Sequence, residues 1–270
     1  EPLENATEPL ENATEPLENA TEPLENATEP LENATEPLKN AAEPLESSFQ
    51  PMLQVDQFTW SKTCLQLAES AGGELDRLAE SFVAAMSAGR KVLAVGSCRR
   101  GQGATTMLLC VGKRLADWGL KSVLVDADLV DPQLARQLGI LPEFGLEHVL
   151  AGQMPLQEVV IESATDRLAL LPIHEPFTNS EVPADDRMRL AESFDTLTAN
   201  YNLVLIDPGP LQGPRAIDGP LADVLIDRLD AVMLVYNAGV ASQQRLANVQ
   251  RSLTENGIAQ AGIIENFVRI

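Results

Sequence analysis

The stretch Gly96-Ser97-Cys98-Arg99-Arg100-Gly101-Gln102-Gly103-Ala104-Thr105-Thr106 decides the fold of this chain. It follows an apolar run, Val92-Leu93-Ala94-Val95, and opens an amphipathic segment that continues to about Trp118. A buried strand, a glycine-rich loop and a helix in that order make a phosphate-binding loop. Its backbone N–H groups converge on phosphate oxygens at the helix N-terminus. Gly101 and Gly103 let the backbone approach closely, and Thr105 or Thr106 offers a hydroxyl to a magnesium ion. At the position where such loops carry a lysine for the terminal phosphates, this chain has Ala104. The scaffold for a nucleotide is legible, and its usual cation is missing.

Further apolar runs follow the same plan. Ser122-Val123-Leu124-Val125 ends in Asp126-Ala127-Asp128, followed by Leu129-Val130-Asp131-Pro132. Leu203-Val204-Leu205-Ile206 ends in Asp207-Pro208-Gly209-Pro210, and Ala231 to Tyr236 and Gly262 to Ile264 complete the series. Helical segments near Asp186 to Ala199 and Val240 to Glu255 separate them. Alternation of this kind predicts an α/β domain, a mostly parallel sheet with helices on both faces. Ligands in such sheets lie at the carboxyl ends of the strands, where the loop, Asp126, Asp128 and Asp207 all fall. Carboxylates there hold magnesium, or water on it, beside bound phosphates. An acid after a strand also serves as a turn former or helix N-cap. Asp131 reads that way and Asp128 fits either role. Asp126 and Asp207 each end an apolar strand directly, which favours the metal reading.

Composition bounds the rest. The chain has 270 residues and a net charge of −21. Residues 1–49 hold 13 glutamates and one lysine, so −12 of that charge lies in the first 49 residues and −9 in the other 221. No basic patch points to nucleic acid. The motif Glu-Pro-Leu-Glu-Asn-Ala-Thr restarts at Glu1, Glu8, Glu15, Glu22 and Glu29, then decays at Glu36 and Glu43. A proline in every repeat and one leucine per seven residues exclude a coiled coil, so residues 1–49 read as a disordered acidic linker. Residues 50–90 read as linker and N-terminal helices, with a break at Gly72-Gly73, and residues 91–270 as the phosphate-loop domain. Cys64, Cys98 and Cys110 lack metal-ligand spacing, and their odd number fits a reducing cytoplasm. No apolar run is long enough to span a bilayer.

Three motifs in order, SCRRGQGATT, DADLVDP and LVLIDPGP, resemble the ParA/MinD superfamily of P-loop ATPases. Within it they are most similar to the cytoplasmic domain of bacterial tyrosine kinases that control capsule and exopolysaccharide synthesis. Phe144 to Gly152 is similar to that family's GLxxVLxG turn, and Gly262 to Asn266 to its GxVxN strand. The resemblance covers about Leu78 to Ile270. It implies ATP or ADP and Mg2+ as cofactors, with Arg99, Arg100, Gly101, Gln102, Gly103, Ala104, Thr105 and Thr106 around the phosphates and Asn266 near the base. It also implies Thr105 and Asp126 on magnesium, Asp207 orienting its water shell, and Asp126, Asp128 and Asp207 as the catalytic acids. The partners it implies are further copies of the chain or a membrane polysaccharide-export protein that would bring this cytoplasmic chain to the membrane.

The departures shape the expected function. Ala104 replaces the loop lysine, Val130 replaces the arginine of DADLR, and the assembly motif ExxRxxR meets Val83 and Met86 in the stretch from Glu80 to Met86. No tyrosine cluster is present, Tyr201 and Tyr236 being the two tyrosines. The reading is therefore a nucleotide-binding regulator. One alternative is an active ATPase or tyrosine kinase using Arg99 or Arg100 as the cation. Another is a localisation or scaffold protein, because pilus-assembly relatives carry GGxGATT with alanine at the same place.

Overall fold

In the computed structural model, the structure describes residues 49–176, 183–212, 217 and 221–267. The acidic repeats from Glu1 to Ser48 lie outside the described residues, and so does the expectation of a disordered tail there. The described chain is organised on one eight-stranded sheet. Its strands are β1 (Leu53–Val55), β2 (Val92–Ser97), β3 (Ser122–Asp126), β4 (Ile161–Ser163), β5 (Leu168–Leu171), β6 (Leu203–Asp207), β7 (Ala231–Tyr236) and β8 (Ala259–Glu265). They stand in the order β1-β4-β5-β3-β6-β2-β7-β8. All neighbours pair parallel except β4 with β5. The expected mostly parallel sheet is therefore present.

The apolar runs are continuous because the sheet is buried on both faces. Alternate residues of one strand enter different cores. Val92 and Ala94 pack on one face, with Leu93 and Val95 on the other. In β6 the same split sends Val204 and Ile206 to the first core and Leu203 and Leu205 to the second. Fully burying each Val, Leu or Ile of these strands contributes roughly 1.5–3 kcal/mol.

Three helices cover the second face: α1 (Lys62–Ser70), α2 (Gly72–Ser87) and α3 (Ala104–Asp117). Ser61 caps α1 by accepting from the Cys64 N–H. Gly72 and Gly73 open α2 rather than forming a gap before it. Val83 is buried in the core that α3 also enters, and Met86 packs beside the same core. These two positions, arginines in the resembling family's assembly motif, therefore serve packing here. The other face carries short α5 (Leu146–Leu150) and α6 (Leu156–Val159), then α7 (Ala184–Asn200), α8 (Ala222–Arg228) and α9 (Gln243–Glu255). Short α4 (Leu134–Gln137), in the loop after β3, buries Leu134 and Ala135 in the second core. The segment read as linker contributes β1, which pairs with β4 at the far edge of the sheet. β4 and β5 add two strands beyond the expected series.

Candidate functional site

The β2–α3 loop is shaped by glycine and held by side chains from neighbouring strands. Gly101 (φ 81°) and Gly103 (φ 93°) take left-handed backbone that other residues adopt only with strain. The first intrahelical bond of α3 runs from the Met107 N–H to the Gly103 carbonyl. The amides of Ala104, Thr105 and Thr106 therefore have no acceptor inside the helix. They sit at the positive end of a 14-residue helix.

Gln102 is fully buried and braces the loop. Its Oε1 accepts from the Arg99 N–H at 2.9 Å, and its Nε2 donates to the Asn237 carbonyl, just after β7, at 3.3 Å. Asn266, just after β8, donates from Nδ2 to the Gln102 carbonyl at 2.8 Å. A Cβ on Gly103 would lie 2.8 Å from that same nitrogen. The loop shape is thus fixed by the protein's own groups.

Opposite the loop stand the acidic strand ends. β3 and β6 run side by side, with Asp126 and Asp207 in register. Asp126 is 1% exposed, and its two oxygens accept from the Leu134 N–H (3.0 Å) and the Asp128 N–H (3.3 Å). Burial, then the neighbouring Asp207, holds its carboxyl well above the usual carboxylate range. Asp207 accepts from the Gly209 N–H at 3.1 Å and from the Thr105 hydroxyl. Burial pushes its carboxyl up to about 6 despite those two bonds.

Between loop and acids lies a cleft of about 260 Å³. Arg100, Gly101, Gly103, Ala104, Thr105, Thr106, Asp128 and Asp207 line it, so most of the expected site residues converge. Arg99, Gln102, Asp126 and Asn266 do not line it. Gln102 and Asn266 act as braces of the loop, and Asp126 anchors the chain after β3. Arg99 turns away and donates to the Val240 carbonyl at 3.4 Å.

Arg100 reaches across the cleft instead. Its Nη1 and Nη2 meet the two oxygens of Asp128 at 2.5 and 2.8 Å, and Nη1 lies 3.4 Å from Asp131. The Asp128 carboxylate raises the Arg100 guanidinium above its ordinary range. Asp131, expected as a turn former or cap, lines the cleft, and the N-cap of α4 is Gln133.

Asn237, Gln133 and Gln137 lie outside the motifs that mark the site in the sequence. Asn237 carried a signal, a polar residue directly after the apolar run Ala231 to Tyr236. Gln133 and Gln137 line the cleft from the α4 turn and had none. Both tyrosines are buried, Tyr201 at 0% and Tyr236 at 7% exposure, consistent with structural roles.

The cleft's chemistry suits a phosphate chain. Helix amides and Thr105 face it, with Asp207 hydrogen-bonded to the same hydroxyl. Among the described residues no group of three or more His, Cys, Asp or Glu side chains is placed to hold a metal by itself. One carboxylate and one hydroxyl do fit magnesium, which keeps waters and shares phosphate oxygens. Asn266 also borders a more apolar cleft of about 490 Å³, lined by Leu67, Leu75, Met107 and Ile264.

A family model described as an AAA domain matches residues 90–226. Tyrosine-protein kinase CpsD of Streptococcus agalactiae is 24% identical over 186 residues, which are 66% of this chain and 75% of the relative. The BceF tyrosine kinase domain superposes with a TM-score of 0.60 at 22% identity, covering 79% of this chain and 93% of that one. The septum site-determining protein MinD of Pyrococcus horikoshii, complexed with Mg-ADP, superposes with a TM-score of 0.52 at 24% identity. The match covers 65% of this chain and 70% of MinD. These likenesses agree with the sheet and loop described above.

Proposed function

This chain belongs to the AAA-domain family, in the CpsD-like branch of the ParA/MinD P-loop ATPases, and from that premise we propose that it is a nucleotide-binding regulator. Its place would be exopolysaccharide synthesis or export, acting with further copies of itself or with a membrane export protein. The observation that carries this reading is a phosphate-shaped loop, braced by Gln102 and Asn266, with Ala104 where the cation belongs.

In this proposal the amides of residues 104–106 bind the phosphates and Asn266 lies near the base, beside the second cleft. Thr105 and Asp207 would hold magnesium, which when bound would neutralise phosphate charge. Asp126 would act from behind by fixing the chain around Asp128 and Leu134. Phosphoryl transfer draws most of its rate from charge placed against the γ-phosphate. A loop without its lysine binds better than it transfers. The test pairs equilibrium binding of a fluorescent ATP analogue with phosphate release in the same sample. Saturable magnesium-dependent binding with negligible release supports the regulator. Rapid release overturns it.

The position of Arg100 favours a second reading, an active ATPase or tyrosine kinase in which this arginine replaces the lysine. The geometry separates the two loop arginines, since Arg99 points away. Turnover that is lost in Arg100→Ala and kept in Arg99→Ala would establish that reading.

A further inference from the structure

Arg100 is the one cation among the described residues that line the cleft, and three carboxylates, Asp128, Asp131 and Asp207, line it with Arg100. Its guanidinium is gripped by Asp128 in a two-bond fork. A guanidinium fork recognises carboxylate and phosphate with the same geometry. The Asp128 carboxylate therefore stands where a phosphate group would offer the same pair of oxygens.

The two halves of the pair differ in freedom. Asp128 is fixed, its side chain 9% exposed and its Oδ1 also accepting from the Val130 and Asp131 N–H groups at 3.2 and 3.1 Å. Gly209 (φ 70°) packs on it so closely that a Cβ there would lie 2.7 Å from the Asp128 Cγ. The Arg100 side chain is 42% exposed and springs from the loop between Arg99 and Gly101. One jaw is rigid and the other is at the rim.

We infer that the Arg100–Asp128 pair is an autoinhibitory latch: Asp128 holds the cleft's cation, and a nucleotide seated on the loop amides gains that cation only by winning Arg100 from it. This rests on the nucleotide-binding reading above. It gives Asp128 a role opposite to that of a catalytic acid or metal-side carboxylate, whose removal would weaken binding. Here removal strengthens it.

The experiment measures MgATP and inorganic pyrophosphate affinity by calorimetry for the whole chain and five variants, each checked for folding by circular dichroism. Asp128→Asn keeps an acceptor for the Val130 and Asp131 amides but loses the charge that grips Arg100. It tightens binding about threefold to tenfold, a discounted value because Arg100 is partly exposed. Asp131→Asn removes an equal charge without breaking the fork, and changes affinity less than about twofold. In an Arg100→Ala background, Asp128→Asn gives no gain. If Asp128→Asn fails to fold, Asp128→Ser carries the test. A hydroxyl still accepts from the Val130 and Asp131 N–H groups but has no charge to grip Arg100, so binding is tighter than wild type.

Weaker or unchanged binding in Asp128→Asn overturns the latch, as does an equal gain from Asp131→Asn or in the Arg100→Ala background. Weaker or unchanged binding in Asp128→Ser does the same. If the wild type binds and these patterns fail, the latch alone is wrong. If neither wild type nor any variant binds either probe, the nucleotide reading falls and the latch with it.

Discussion

The two walls of the cleft hold their positions in opposite ways. On the loop wall, residues 101–106 present backbone, and the side chains that fix it, Gln102 and Asn266, lie outside the cleft. On the acidic wall, Asp128 and Asp207 face the cleft with their carboxylates already engaged by Arg100, Thr105 and backbone N–H groups. In the proposed regulator, backbone would bind phosphate without a lysine, because amides and glycine conformations do not depend on the residue at 104. Chemistry that depends on free charge would be lost, because Arg100 is paired with Asp128. The difference would separate binding from turnover within one pocket.

The largest effect expected from breaking this asymmetry comes from restoring charge to the loop wall. Ala104→Lys adds an ammonium beside the helix amides. A charge-assisted contact of roughly 1.5–3 kcal/mol tightens ATP by about ten- to hundredfold. A competition assay against a fluorescent analogue checks it. Unchanged affinity in the folded variant means that the loop no longer cradles phosphate.

Distorting the loop wall itself comes next. Gly103→Ala forces a side chain into left-handed backbone, costing about 1–2 kcal/mol, and pushes its Cβ against the Asn266 amide. Thermal melts are expected to show a fall of roughly 2–8 °C for a domain of this size, and nucleotide binding should weaken with it. A neutral result would show that the Asn266 brace is dispensable.

The smallest effect sharpens the acidic wall. Asp207 is raised to about 6 in the fold, so the folded state holds its proton more tightly than the unfolded chain does. Its contribution is present below about pH 4 and is lost as pH rises through about 6. At neutral pH the buried carboxylate therefore costs stability. Asp207→Asn removes that cost, of order 1–2 kcal/mol after the buried amide's own desolvation, and raises the ligand-free Tm by roughly 2–8 °C at pH 7.5. The gain over wild type should shrink towards pH 4, while magnesium-dependent binding falls. A pH-independent difference would assign the effect to packing. Asp207 is a cleaner probe than Asp126, whose two oxygens also tie down the chain after β3.

The same contrast explains what could be read from the sequence. Runs such as Leu203 to Ile206 are visible because burial on both faces demands unbroken apolar residues, and their terminal acids mark the strand ends. β1 and β4 are three residues each at one side of the sheet, too short to carry a period. β5, Leu168–Leu171, did carry an apolar run, closed by Pro172, and the short hairpin joining it to β4 hid its place in the series. In the site, glycine spacing reported the loop wall well, since backbone conformation is written in residue type. The acidic wall was legible as residues but not as pairings. Arg99 and Arg100 are identical in the sequence, and only the positions of the Val240 carbonyl and Asp128 separate them.

In the proposed regulator, the loop wall binds phosphate without a lysine. Calorimetric titration of the wild-type chain with ATP, with and without magnesium, tests it most directly. A one-site isotherm is expected with magnesium, weakened when magnesium is chelated. A folded protein that gives no binding heat with magnesium, and none after Ala104→Lys, would contradict it.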